Sequence, residues 1–173
     1  FIEQTKDVWT HLVDIRKSFE PRAEELAKKY ALAPYTMFIG SGALWGETIL
    51  FSMCILEEMQ WKRTRYITSA DFFHGTLELV EPGVPVFLFM GEDENRKLDE
   101  RVRAFLTRGV TGDTDINIID TAEFAIPGLD DEFRVIVSPW ILSSLITDRL
   151  AAYYETVTKH NLNYRRYYHQ FDY

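Results

Sequence analysis

Pro34-Tyr-Thr-Met-Phe-Ile-Gly40-Ser-Gly-Ala-Leu44 is the stretch that decides the fold. Tyr35 to Ile39 is an apolar, aromatic run entered from a proline and left through Gly40-Ser41-Gly42, which reads as a buried strand ending in a tight turn. The chain then becomes helical from Leu44 to Met59, largely apolar, with Glu47, Ser52, Glu57 and Glu58 as its marked polar interruptions. A helix apolar on most faces must be buried on most faces, so this one is expected against the sheet and a partner chain.

Working outward, the same alternation continues. Arg65 to Thr68 is predicted as a second strand and Asp71 to Val80 as the helix after it. Pro82-Gly83 marks a turn, and the unbroken apolar run Val84 to Met90 can only be a central strand. Asp93 to Arg108 is an amphipathic helix closed by Gly109, and Ile116 to Ile119 is a fourth strand. Phe124 to Leu129 is read as a short edge strand broken by Pro127. From Asp130 the pattern is helical, with Pro139 expected to interrupt it and Ser138 placed to cap a final helix through Thr158. Upstream, Ile2 to Ala31 is helical, with apolar Val8, Trp9, Leu12 and Ile15; Pro21 is expected to start a second segment. Strands alternating with helices at these lengths predict an α/β fold, a parallel β-sheet flanked by helices on both faces.

At 173 residues and 46% apolar content, the chain is one globular domain by size and composition. The longest apolar runs, near Ile49 to Leu56 and Val84 to Met90, fall short of the ~18 residues a membrane span needs, so no membrane is expected. The formal net charge of −8 argues against nucleic acid as the main partner. It also requires local cations or helix N-termini wherever an anionic substrate binds. Cys54 is the only cysteine, which suits a reducing compartment and a cytoplasmic location, and it reads as a small buried hydrophobe. The chain opens at Phe1 without an initiator Met or signal-like segment, so a piece of a longer protein is expected.

The residues with chemistry to offer lie between Glu58 and His74. On a helix of ~3.6 residues per turn Glu47 and Glu58 share a face, with Glu57 rotated by ~100°. Glu58 stands at the helix C-terminus, where the dipole disfavours a carboxylate and helps it accept a proton. Solvated helix-end glutamates near Lys62 and Arg63 would look the same. His74 follows Asp71 by three positions, so Asp71 either orients the imidazole or caps a helix. The histidines, at positions 11, 74, 160 and 169, have no metal-ligand spacing, and no metal or other cofactor is expected.

Taken together, the Gly40-Ser41-Gly42 turn, the apolar helix ending Leu56-Glu57-Glu58, and Ala70-Asp71-Phe72-Phe73-His74-Gly75 after the next strand resemble the C-terminal unit of sugar isomerase (SIS) proteins. The closing Arg165-Arg166-Tyr167 and Phe171-Asp172-Tyr173 are similar to the tail of the fructosamine-6-phosphate deglycase branch. The chain departs from the family at Ala70-Asp71, where Gly-Glu is common, and at Thr76, where Pro is common. The isomerase branch carries a lysine at the position of Ile55, which points away from a plain phosphoaminosugar isomerase.

The resemblance implies a flavodoxin-like three-layer sandwich over residues 34–158, preceded by linker helices over 1–33 from an absent upstream SIS domain. It implies a tail over 159–173 that docks on a partner chain or on the missing domain through Tyr164, Tyr167, Tyr168, Phe171 and Tyr173. It further implies Glu58 and His74 as catalytic acid–base groups, Asp71 behind His74, and Arg165, Arg166 and Ser41 as substrate contacts. The implied reaction is cleavage of a 6-phosphorylated fructose–amino acid conjugate to glucose 6-phosphate and free amino acid, in a homodimer whose histidine reaches a neighbour's glutamate. Two alternatives stay open: a phosphosugar aldose–ketose isomerase, and a non-catalytic phosphosugar-binding module.

Overall fold

A computed structural model describes residues 1–109, 111–112 and 114–172; Tyr173 lies outside the described residues. The chain begins with the short helix α1 (Ile2–Thr5) and the long helix α2 (Val8–Tyr30), followed by strand β1 (Thr36–Gly40). Helix α3 (Trp45–Ile49) runs without a break into a π-helical segment, Leu50–Met59, and strand β2 (Thr64–Ile67) follows. Next come a one-turn helix α4 (Ser69–Phe72), strand β3 (Val86–Met90), helix α5 (Arg96–Leu106) and strand β4 (Ile116–Asp120). Helix α6 (Asp131–Ser143) passes through a π-helical segment, Ser144–Leu150, into α7 (Ala151–Thr158).

The four strands form a parallel sheet in the order β2-β1-β3-β4, with Phe38 opposite Phe87 and Leu88 opposite Ile118. Alternate residues of each strand feed opposite faces, as the two-residue repeat of a strand requires. On one face Phe38, Phe87, Phe89 and Ile119 join a core with α2, the helix over residues 45–59 and the run from α6 to α7. On the other, Met37, Ile39, Val86, Leu88 and Met90 pack with Phe72, Val102 and Leu106 of α4 and α5. This is the expected three-layer α/β arrangement. Phe38 stands at its centre, ringed by Phe87, Phe89 and Phe51 at centroid distances of 5.2, 6.0 and 5.5 Å.

The helices differ from the sequence reading in four places. Pro21 does not start a new segment: α2 is continuous across it. Its ring lies on the exposed side, where the carbonyl left without its i+4 N–H can turn to water. Pro139 likewise sits inside α6, and Ser138 is no cap. The Ser138 hydroxyl donates to the Val135 carbonyl at 3.2 Å, the same carbonyl that Pro139 cannot reach. The predicted helix Asp71 to Val80 is instead α4 and a separate 3-10 turn, Thr76–Leu79, divided at Gly75, whose φ of 132° no helix can hold. No strand forms over Phe124 to Leu129, where Ile126 alone is buried, as an anchor.

Two features exceed the sequence reading. Helix α2 is part of this domain's own core, burying Leu12, Ile15, Phe19, Ala23 and Ala27 against the run from α6 to α7. That run, Asp131–Thr158, is 28 residues long and the one helix among the described residues long and apolar enough to cross a membrane. Half of its most apolar window is buried inside the domain, and Val137, Ile141, Leu142, Leu145, Ile146 and Leu150 face the core. The apolar residues on that half are the ones that pack the core.

Candidate functional site

Helix 45–59 leaves the carboxyl end of β1 and returns antiparallel to it, so its last turn, with Glu57 and Glu58, lies at the amino edge of the sheet. The i→i+5 winding of Leu50–Met59 turns each residue through less than the ~100° of an α-helix. The expected alignment of Glu47 with Glu58 is therefore lost. Glu47 faces Ser143 and Asp148, and burial pushes its carboxyl up; Glu58 faces the C-terminal tail. The helix stops with Gln60 N–H donating to the Ile55 carbonyl at 3.1 Å and Lys62 N–H to the Leu56 carbonyl at 2.8 Å. That closure needs a left-handed residue at position 61, the place usually held by glycine. Here it is Trp61, at φ 53°.

The tail is tied to this helix end through Gln60. Its amide donates to the His160 carbonyl at 2.6 Å and accepts from the Thr158 hydroxyl at 2.7 Å. The tail then folds back over Glu58. Arg165 Nε lies 2.9 Å from Glu58 Oε1, and the Arg165 guanidinium also donates to the Leu162 and Tyr164 carbonyls. Arg166 places Cζ 4.3 Å from the Trp61 ring centroid, on a side chain that His160 also meets edge-on at 4.3 Å. Glu57 accepts from the Thr64 hydroxyl at 2.6 Å. Glu57, Glu58, Trp61, Lys62, Arg165 and Arg166 line one cavity of about 390 Å³, completed by two tail tyrosines. Three of the predicted site residues, Glu58, Arg165 and Arg166, thus share a site.

The other three lie at the opposite, carboxyl edge. His74 is exposed on the turn after α4, its N–H donating to the Asp71 carbonyl. Asp71 does not orient it. Thr68 caps α4 by accepting from Asp71 N–H at 3.0 Å, and the Asp71 carboxylate accepts from the Thr68 hydroxyl at 2.8 Å, a reciprocal capping pair. Glu58 precedes β2 and His74 follows it. Four residues of extended strand, on the order of 13 Å, therefore separate their ends of the sheet. One chain does not bring the two side chains into one cleft.

Ser41 is buried between β1 and β2, its hydroxyl accepting from Ser69 N–H at 2.7 Å. The turn it belongs to is filled from within. Asp93 accepts from Ala43 N–H at 2.5 Å and from Asn95 N–H at 2.7 Å, and its carboxylate occupies the space a side chain on Gly42 would need. An anion approaching this turn meets a carboxylate, so Ser41 holds strand ends together here. Next to it Asp99 accepts from the Ser69 hydroxyl at 2.5 Å and from Gly91 N–H at 3.3 Å. Burial pushes the Asp99 carboxyl up to about 6, against the downward pull of those two donors. Ligands of open parallel sheets usually bind at this carboxyl edge, where the strand order reverses between β1 and β3. In this chain Asp93 fills the β1 side of that crevice.

Sequence reasoning missed Trp61 and Lys62. The only signal was local: a helix ending in Gln60-Trp61-Lys62 with no glycine to close it. Among the described residues, no group of three or more His, Cys, Asp or Glu is placed to hold a metal ion.

No family model matches the chain. It is 30% identical over 148 residues to the fructosamine deglycase FrlB of Bacillus subtilis, covering 84% of this chain and 43% of that protein. It is 29% identical over 170 residues to the fructoselysine 6-phosphate deglycase of Escherichia coli K12, covering 96% of this chain and 46% of that one. A solved structure from Bacillus subtilis, described as a phosphosugar isomerase, superimposes with a TM-score of 0.91 at 27% identity, over 99% of this chain and 51% of that one. The chain spans about half the length of the curated relatives it matches. By sequence it is a homologue of the fructosamine and fructoselysine 6-phosphate deglycases, and by fold it is a sugar isomerase (SIS) domain.

Proposed function

We propose that this chain is one SIS unit of a deglycase that converts a 6-phosphorylated fructose–amino acid conjugate to glucose 6-phosphate and free amino acid. The observation that carries the reading is the cavity at the end of helix 45–59, where a carboxylate, Glu58, stands beside two tail arginines. The ring-opened substrate has a ketone at C2 and an amine-bearing carbon at C1, whose proton the carbonyl makes acidic. Glu58 takes that proton while His74 gives one to the C2 oxygen, forming an enolamine. Return of a proton to C2 draws the nitrogen lone pair into a C1=N bond, and loss of the N–H proton leaves an imine at C1 with the C2 hydroxyl retained. Water adds to it and expels the amine. Arg165 and Arg166 hold the anionic substrate and keep Glu58 in place.

Because Glu58 and His74 belong to opposite edges of the sheet, the reading takes His74 from a second copy and the enzyme as a homodimer. The doubled length of the relatives supports a second SIS unit in the same polypeptide. A phosphosugar aldose–ketose isomerase is the second reading, supported by the likeness to the Bacillus subtilis structure described as one. It would move the C1 proton to C2 through an enediol, with no imine to hydrolyse.

The test is glucose 6-phosphate release by the complete protein from a panel of phosphorylated Amadori compounds, run beside aldose–ketose interconversion of free phosphosugars. Stoichiometric release of amine and glucose 6-phosphate supports the deglycase. Interconversion without amine release would replace it by the isomerase, and neither reaction would leave only a binding module.

A further inference from the structure

The cavity beside Glu58 holds more positive charge than its own carboxylates use. Three cations, Lys62, Arg165 and Arg166, face two carboxylates, and this is in a chain of net charge −8. Arg165 is taken by Glu58, and Glu57 is held by the Thr64 hydroxyl. Among the described residues Lys62 and Arg166 have no carboxylate partner at ion-pair distance.

Their placement depends on Trp61. A bulky side chain in the left-handed region is disfavoured by about 1–3 kcal/mol and persists only where the surroundings hold it. At φ 53° Trp61 is held by Arg166 at 4.3 Å and by the edge of His160 at 4.3 Å. Glycine would close this helix without strain, so the indole must contribute something glycine cannot. It forms a platform under the Arg166 guanidinium and brings the next residue, Lys62, to the same wall. Lys62 is half-buried, and burial pulls its ammonium below the ordinary lysine range, which leaves a charge that an incoming anion would stabilise.

We propose that Lys62 and Arg166, set by the Trp61 platform, form an oxyanion seat that binds one carboxylate or phosphate group of the substrate beside Glu58. As a substrate contact this rests on the function proposed above; the capacity to bind an oxyanion does not. The carboxylate of an α-amino acid attached at C1 and the phosphate at C6 are the two sources of such a group.

The experiment is calorimetric titration of the complete protein with inorganic phosphate and with acetate, on wild type, Lys62→Met, Trp61→Gly and Glu58→Gln. Lys62→Met should weaken binding at least tenfold, about what one lost charged contact is worth. Trp61→Gly, which relieves the backbone, should raise Tm or leave it unchanged while weakening binding several-fold. Glu58→Gln removes a negative charge beside the seat and releases Arg165, so it should bind phosphate at least as tightly as wild type, and weaker binding would count against the seat. Undetectable binding to wild type, or Lys62→Met binding within twofold of wild type, overturns the proposal. The KM of Lys62→Met then identifies the source. A rise on every phosphorylated substrate marks the phosphate, and a rise confined to conjugates whose amine carries a carboxylate marks that group. If anion binding is lost in Lys62→Met yet the complete protein releases no amine, the seat stands and the deglycase reading falls.

Discussion

Arg165 reaches from the tail to the end of helix 45–59 and holds Glu58, Nε to Oε1, at 2.9 Å. With side chains 18% and 30% exposed, the pair is neither a solvated surface contact nor a fully buried one. Its role is better sought in position than in stability. The guanidinium is itself fixed by two tail carbonyls, so the carboxylate it grips has one location.

Removing the guanidinium should therefore hurt chemistry more than folding. Arg165→Met is expected to lower kcat/KM by about tenfold or more while changing stability by about 1 kcal/mol or less. Arg165→Lys should recover part of the rate. Steady-state kinetics beside denaturant titration separates the effects; a loss of stability with unchanged kcat/KM would make the pair a structural clasp only.

Asp99 gives the fold a pH dependence of unusual sign. Its carboxyl is raised from 3.8 to about 6 by burial, so between those values the folded state binds a proton that the unfolded state has released. This contribution is full below about pH 4 and is lost as pH rises through about 6, by about 3 kcal/mol at most. Asp99→Asn keeps an acceptor for Gly91 N–H and an amide that can donate to the Ser69 hydroxyl. The difference in unfolding free energy between wild type and Asp99→Asn, measured from pH 4 to 8, should move in favour of the variant as pH rises. A pH-independent difference would contradict the assignment.

Pro21 lies at an exposed position inside α2. Pro21→Ala restores one helical N–H and should raise stability by about 1–3 kcal/mol in urea denaturation. A loss of stability would show that the proline rigidifies the chain more than it disturbs the helix.

If each site draws Glu58 from one copy and His74 from another, two inactive variants should complement each other. Glu58→Gln and His74→Ala, refolded together, should regain up to about a quarter of wild-type activity per active site, because a random mixed pair carries one intact combination. Failure to complement in a pair shown by native mass spectrometry to be mixed would remove His74 from the site, because within one chain it lies at the opposite edge of the sheet from Glu58.

Most of the scaffold was legible because its strands are written without ambiguity. Tyr35 to Ile39 and Val84 to Met90 are apolar on both faces, which only a doubly covered strand can be, and the observed strands begin and end within two residues of those readings. The misplaced boundaries were at prolines, where a local preference was overruled by tertiary packing on α2 and α6, and at Gly75, whose left-handed backbone is invisible to periodicity. The site was half legible. Glu58, Arg165 and Arg166 were selected by resemblance, and the fold gathers them. For Trp61 and Lys62 the one mark in the sequence was a helix end without glycine, since their position follows from how a π-wound helix ends. The placement of Glu58 and His74 at opposite edges of the sheet was already implied by the strand read between them, and the structure bears that strand out as β2.

The most direct test of the central claim is turnover by Glu58→Gln in the complete protein, with folding checked by thermal melting and anion affinity by calorimetry. Glutamine keeps the size of the side chain and removes its ability to take a proton. The account predicts a kcat lowered by about 100-fold or more at nearly unchanged Tm, with phosphate bound no more weakly than by wild type. A variant that releases glucose 6-phosphate at close to the wild-type rate would contradict it.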